Sequence, residues 1–147
     1  MNFDAGTIAA VLGGPPVLGR EVATMRDLDD AVREGIPKRS LDRVIMLIVP
    51  KGVGATTGAR LRNKIVPRAT YQRADRLNHQ VSETIERLAR LYALAMFAFQ
   101  NADQAARFLA NPHPELDDRV PCEVALTEVG GREVEEIIER GLHGLPA

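Results

Sequence analysis

Val81, Ile85, Leu88, Tyr92, Ala95 and Phe99 recur at steps of four and three residues, the spacing of one face of an α-helix of about five turns. Leu91, Leu94 and Met96 widen that stripe beyond a coiled-coil seam, so the pattern predicts a central strut packed on several sides. The same periodicity assigns Tyr92, Phe97, Phe99 and Phe108 to the core. Upstream, Val22, Met25, Leu28 and Val32 predict a helix within residues 20–34, stopped at Gly35, with Pro37 barring continuation. Ser40, or the turn before it, opens a second apolar helix that ends at Pro50. Its all-apolar stretch 44–49 would also suit a buried strand, but no partner strand is evident, which favours the helix. Downstream helices are expected over 102–110, 121–128 and 132–140, stopped by "NPHPEL", by Gly130–Gly131 and by Gly141. Residues 1–20, rich in Gly and Pro, read as a flexible arm with at most one helical turn around 5–12.

Between the second helix and the strut lies "KGVGATTGARLRNKIVPRATYQRADRL". Thr56 or Thr57 is an N-cap candidate for a short helix through Arg62 or Asn63. "NKIVP" makes a turn, and Pro67 can introduce a second short helix over 68–76. Two short helices joined by a tight turn fit a helix-turn-helix, whose second helix would present Arg68, Thr70, Tyr71 and Arg73 to base edges and phosphates. Lys51, Arg60, Arg62 and Lys64 would neutralise phosphates. The competing reading is a solvated basic hairpin. The fold expected is therefore all-α: a flexible arm (1–20), a helix-turn-helix region (21–76), and a C-terminal helical unit (77–147) entered through the long central helix.

Charge sharpens this division. The net charge of −1 conceals +6 over residues 51–76 and −6 over residues 101–147, which points to two partners of opposite sign. The hydrophobic fraction of 45% is that of a soluble chain, and no apolar run reaches the ~20 residues of a membrane span. The N-terminal stretch lacks a basic segment and carries Asp4, against a signal peptide. The single Cys122 allows no internal disulfide and suits a reducing cytoplasm. His79, His113 and His143 show no metal-ligand spacing and no nucleophile at diagnostic distance, so no metal, cofactor or catalytic residue is expected. Cys122, in the first turn of a helix, could have its pKa lowered by the dipole, but a small core residue is the default.

The order of short motifs resembles the Xre-type antitoxins of RES–Xre toxin–antitoxin modules, the ParS/MbcA group. The matching positions are Gly35–Pro37, Thr70–Arg73, Arg76–Leu77 with Ser82, Arg87–Arg90, Phe108–Pro112 with Leu116, Pro121 with Thr127–Gly130, and Gly141. Two stretches depart from the pattern. "FQNAD" stands where phenylalanine-glycine-aspartate is usual, and "DDRV" stands in place of a double glycine, adding negative charge. The resemblance implies a type II antitoxin that is not an enzyme. It also implies a RES-domain toxin partner, which consumes NAD by degrading it or by transferring ADP-ribose, and operator DNA bound by a homodimer within a larger complex.

The resemblance further implies that the C-terminal end closes the toxin's NAD pocket. Gly141, Leu142, His143, Gly144 and Leu145 are the expected blocking residues, projecting beyond the last helix. Exposed Leu142 and Leu145 favour burial in a partner, against the alternative of a frayed terminus. A stand-alone helix-turn-helix regulator is the competing function. A small enzyme using His143 or Cys122 has no support in the spacing.

Overall fold

A helix of twenty-one residues, α7 (His79–Phe99), carries ten buried positions including Ile85, Leu88, Leu91 and Tyr92. So wide a buried face needs partners on several sides, and α7 packs against α1 (Ala5–Val11), α3 (Met25–Glu34), α4 (Lys38–Ile48), α8 (Ala102–Ala110) and α10 (Glu128–Leu142). The remaining helices are α2 (Pro15–Leu18), α5 (Gly58–Ile65), α6 (Arg68–Arg73) and α9 (Pro121–Val124), with a 3-10 turn at Pro114–Leu116. The computed structural model describes residues 4–51 and 56–142. Among these residues the only bridges are isolated ones, Pro37 with Arg76 and His113 with Arg119, and the fold is all-α.

Caps fix most of the boundaries. Asn78 opens α7 by accepting from the Val81 N–H, and Asn101 opens α8 by accepting from Gln104. Thr24 and Asp27 form a reciprocal capping box that starts α3 five residues after the expected lower bound at Arg20. Thr57 caps α5, which extends past Asn63 to Ile65. The stretch 44–49, which by pattern also suits a strand, is helix as far as Ile48.

Four expectations need correction. Residues 1–20 are not an arm throughout. Asp4 caps α1, and Ile8, Leu12 and Leu18 are almost wholly buried in the core. The helix expected over 68–76 ends at Arg73, because residues 75–77 run extended beside residues 36–38. The Lys38 N–H donates to the Asp75 carbonyl (3.1 Å) and the Leu77 N–H to the Ile36 carbonyl (2.9 Å). Phe97 is 49% exposed, whereas Tyr92 is buried and Phe99 and Phe108 pack together at 5.6 Å between ring centroids. Gly130–Gly131 and Gly141 do not stop helices: α9 ends earlier, at Val124, and α10 runs through all three glycines to Leu142.

A clasp ties the N-terminal helices to the start of α7. Gly35 has φ 105°, and a Cβ there would stand 2.6 Å from the Leu77 carbonyl oxygen, so only glycine fits the crossing. The buried Ser82 hydroxyl accepts from the Ile36 N–H (2.8 Å) and donates to the Leu77 carbonyl (3.1 Å). Arg76 donates to the Gly35 carbonyl at 2.9 Å. Leu88, further along the same helix and fully buried, lies in the layer shared by both ends of the chain. Leu88→Ala is expected to cost roughly 2–5 kcal/mol by leaving a cavity. Calorimetry should show one transition shifted as a whole; two separate steps would contradict a shared core.

Candidate functional site

The basic segment divides into two faces. Arg60 and Lys64 lie one turn apart on α5 and both reach Glu123 of α9: Arg60 Nε at 3.2 Å and Lys64 Nζ at 3.9 Å. Burial alone would raise the Glu123 carboxyl, but the hydrogen bond and charge of Arg60, with the charge of Lys64, outweigh it and hold the carboxyl below its ordinary value. Arg62 points the other way and stacks over the Tyr71 ring at 4.8 Å, with Lys38 at 5.2 Å from the same centroid. The Tyr71 hydroxyl donates to Asp42 of α4 at 2.6 Å; this hydrogen bond, with burial, raises its pKa. Tyr71 is thus engaged in holding α6 against α4. Thr70 is half-buried, while Lys51, Arg68 and Arg73 are exposed. Two short helices stand where the sequence predicts them, and the exposed cations outside these contacts are Arg68 and Arg73 on α6 and Lys51 just after α4.

The C-terminal helices are organised by Arg87. The residue is buried to 8% residual exposure, with Nη1 donating to the Ala125 carbonyl (3.0 Å) and Nε to Glu128 Oε2 (3.2 Å). Burial raises the Glu128 carboxyl, and the hydrogen bond and charge of Arg87 more than reverse that. Thr127 opens α10, its hydroxyl accepting from the Gly130 N–H at 3.0 Å. A Cβ at Gly130 would fall inside contact of the Val124 carbonyl oxygen, and one at Gly131 would stand 2.6 Å from Arg87 Cδ. The two glycines therefore provide room for close approach. Nothing in their local sequence distinguishes that role from a helix stop.

The 3-10 turn places Asp117 and Asp118 at φ 55° and 61°, exposed. With Glu136 of α10 they are carboxylates outside any ion pair among the described residues. Most of the other acids in this unit are paired, Glu115 with Arg140, Glu133 with Arg119 and Glu135 with Arg90. Exposed Val129 (74%) borders a groove between α5 and α9–α10, together with Arg60, Lys64, Arg119 and Val124. Neither Glu123 nor Val129 stands out in the sequence. An ion pair between residues 60 and 123 has no local signature.

The ionisable groups considered for chemistry have structural surroundings. His113 Nδ1 accepts from the Glu115 N–H at 3.1 Å and its ring meets Phe108 edge-on. His79 lies 3.0 Å from Glu83. Cys122 is fully buried, and burial pushes its thiol up to about 12, opposite to the expected dipole effect; α9 has a single turn. An open cleft of about 400 Å³ between α3, α7 and α10 has Met25, Leu28 and Val32 on one side, and its Glu83, Glu86 and Glu128 each face a cation or histidine. Among the described residues no three His, Cys, Asp or Glu side chains group to hold a metal, and no helix is long and apolar enough to cross a membrane.

Of the expected blocking residues, Gly141 and Leu142 belong to α10, and Leu142 is half-buried against the core instead of projecting from it. His143, Gly144 and Leu145 lie outside the described residues.

Arg87→Ala should destabilise the protein by about 1.5–3 kcal/mol, since it orphans a buried carbonyl and removes charge-assisted hydrogen bonds. Glu128→Ala should cost about 1 kcal/mol or less, because that carboxylate is half in water. Equal losses in urea titrations would mean that the ion pair, and not the Ala125 contact, holds α10.

Residues 93–144 match the family model for the antitoxin Xre/MbcA/ParS C-terminal toxin-binding domain. No curated protein matches the chain. The match spans the end of α7 and the helices that follow it, including the Thr127–Gly131 junction, so the C-terminal part of this chain is similar to the toxin-binding domain of Xre/MbcA/ParS-type antitoxins.

Proposed function

We propose that the protein is a non-enzymatic antitoxin of a type II module that neutralises a RES-domain, NAD-consuming toxin and binds its own operator. The toxin-binding family match over residues 93–144 carries the reading. Residues 77–147 would hold the toxin, with the C-terminal end, His143–Leu145 above all, entering its NAD pocket. The unpaired Asp117, Asp118 and Glu136 would favour a partner surface that is electropositive because it binds a pyrophosphate. Within residues 21–76, α5 and α6 would form the helix-turn-helix. Arg68 and Arg73 are exposed cations outside any ion pair among the described residues, joined by Lys51, and Thr70 is on the same helix. A homodimer would bring two such units to one operator.

Two measurements test the separate halves of this reading. Removing residues 143–147 leaves all of α10, including Leu142, so the truncated protein should keep its melting temperature and still co-purify with the toxin. It should fail to stop NAD consumption by the toxin. Full inhibition by the truncated protein would place neutralisation on the helical surface alone. Arg68→Ala with Arg73→Ala should weaken operator binding, flattening the slope of log K against log salt by about 0.9 for each phosphate no longer neutralised. Toxin inhibition should be unchanged; an unchanged DNA affinity would return α5 and α6 to a solvated hairpin.

A further inference from the structure

The cations of α5 are divided between two possible duties. Arg60 and Lys64 occupy the same face, and that face looks toward Glu123 in the toxin-binding domain. Arg60 makes two contacts with the carboxylate, Nε at 3.2 Å from Oε2 and Nη2 at 3.4 Å from Oε1. The Glu123 side chain is only 17% exposed, whereas Arg60 is 59% and Lys64 43% exposed. The carboxylate is therefore the fixed member of the cluster, and the two cations are the members able to leave. Glu123 follows Cys122 and Pro121, both buried, so its backbone cannot follow a departing arginine.

We propose that Glu123 is a latch through which the toxin-binding domain withholds phosphate-binding charge from the DNA-binding segment. The inference rests on the reading of α5 and α6 as DNA-binding. In the free protein, Glu123 offsets one of the two positive charges that Arg60 and Lys64 carry between them. Transferring them to DNA phosphates leaves that carboxylate to recruit a cation from solution, which cancels part of the counterion release that drives binding. A partner that engaged Glu123 from the groove between α5 and α9–α10 would set both cations free. Exposed Val129, on the border of that groove, gives such a partner an apolar foothold next to the latch. The pair is of the surface kind, individually weak, so the latch modulates affinity instead of abolishing binding.

The experiment uses the full chain and a labelled duplex from the region upstream of its own coding sequence. Glu123→Gln keeps the side-chain shape and should raise DNA affinity by about 2- to 5-fold. The salt slope should steepen by about 0.9. Asp118→Asn, which removes the same charge from the same groove without touching α5, controls for the general electrostatic effect and should change affinity less. Arg60→Ala should have little effect on DNA binding in the wild-type background and a larger one in the Glu123→Gln background. Equal effects of Arg60→Ala in both backgrounds, or equal effects of Glu123→Gln and Asp118→Asn, would overturn the latch. If Glu123→Gln fails to fold by melting, Arg60→Ala alone decides: a drop in DNA affinity as large as that of Arg68→Ala overturns the proposal. Unchanged binding in the Arg68→Ala, Arg73→Ala variant would instead overturn the DNA-binding reading and the latch with it.

Discussion

The buried guanidinium of Arg87 is the constraint from which the C-terminal half follows. A charge at 8% exposure must have its donors satisfied, and the groups that meet them are the Ala125 carbonyl and the Glu128 carboxylate. Bringing both within reach requires the chain to break after Val124 and restart at Glu128, with Thr127 capping the new helix. It also requires the backbone of α10 to approach α9 and α7 so closely that Gly130 and Gly131 admit no side chain. Thr127, Glu128 and Gly130, a single motif in the sequence, are thus three parts of a single packing solution around one arginine. Five residues earlier on α7 the Ser82 hydroxyl does the equivalent for the Gly35–Pro37 crossing. One helix thereby fixes the geometry of both halves.

Those elements whose cause is local are legible in the sequence. The α7 stripe, the limits of α8, and the Thr57 cap of α5 each depend on residues within a few positions of one another. The N-terminal helices escape a reading by pattern, although Asp4 is a good cap and Ile8 and Leu12 stand one turn apart. Seven and four residues are too few to show a period, and their stability comes from burial against other helices. The glycines at 130 and 131 read as punctuation because glycine lowers helix propensity; the space they leave for Val124 and Arg87 exists only in three dimensions. Phe97 sits beside the apolar stripe without facing the core, a distinction that composition alone does not make.

The charge map needs the same revision. Segment totals of +6 and −6 suggest two fields, one for each partner. In the folded chain Glu123 crosses that divide to meet Arg60 and Lys64, and Tyr71 ties Arg62 and Lys38 to the α4–α6 packing. What remains free for partners is smaller and more specific: Lys51, Arg68 and Arg73 on one side, Asp117, Asp118 and Glu136 on the other. The two surfaces are carried by helices that share α7, so a protein built this way has a physical route by which occupancy of one surface can alter the other.

That route exists only if α7 is a single cooperative element with both halves bound to it. Native-state hydrogen exchange in increasing denaturant measures this directly, residue by residue. Amides from Ser82 to Ala95 should exchange through the same global opening, with one free energy and one denaturant dependence on both sides of Leu88. A first turn that opened separately, at lower free energy than the segment facing α8 and α10, would show the clasp at Ser82 and the junction at Arg87 to be independent, and would contradict the account.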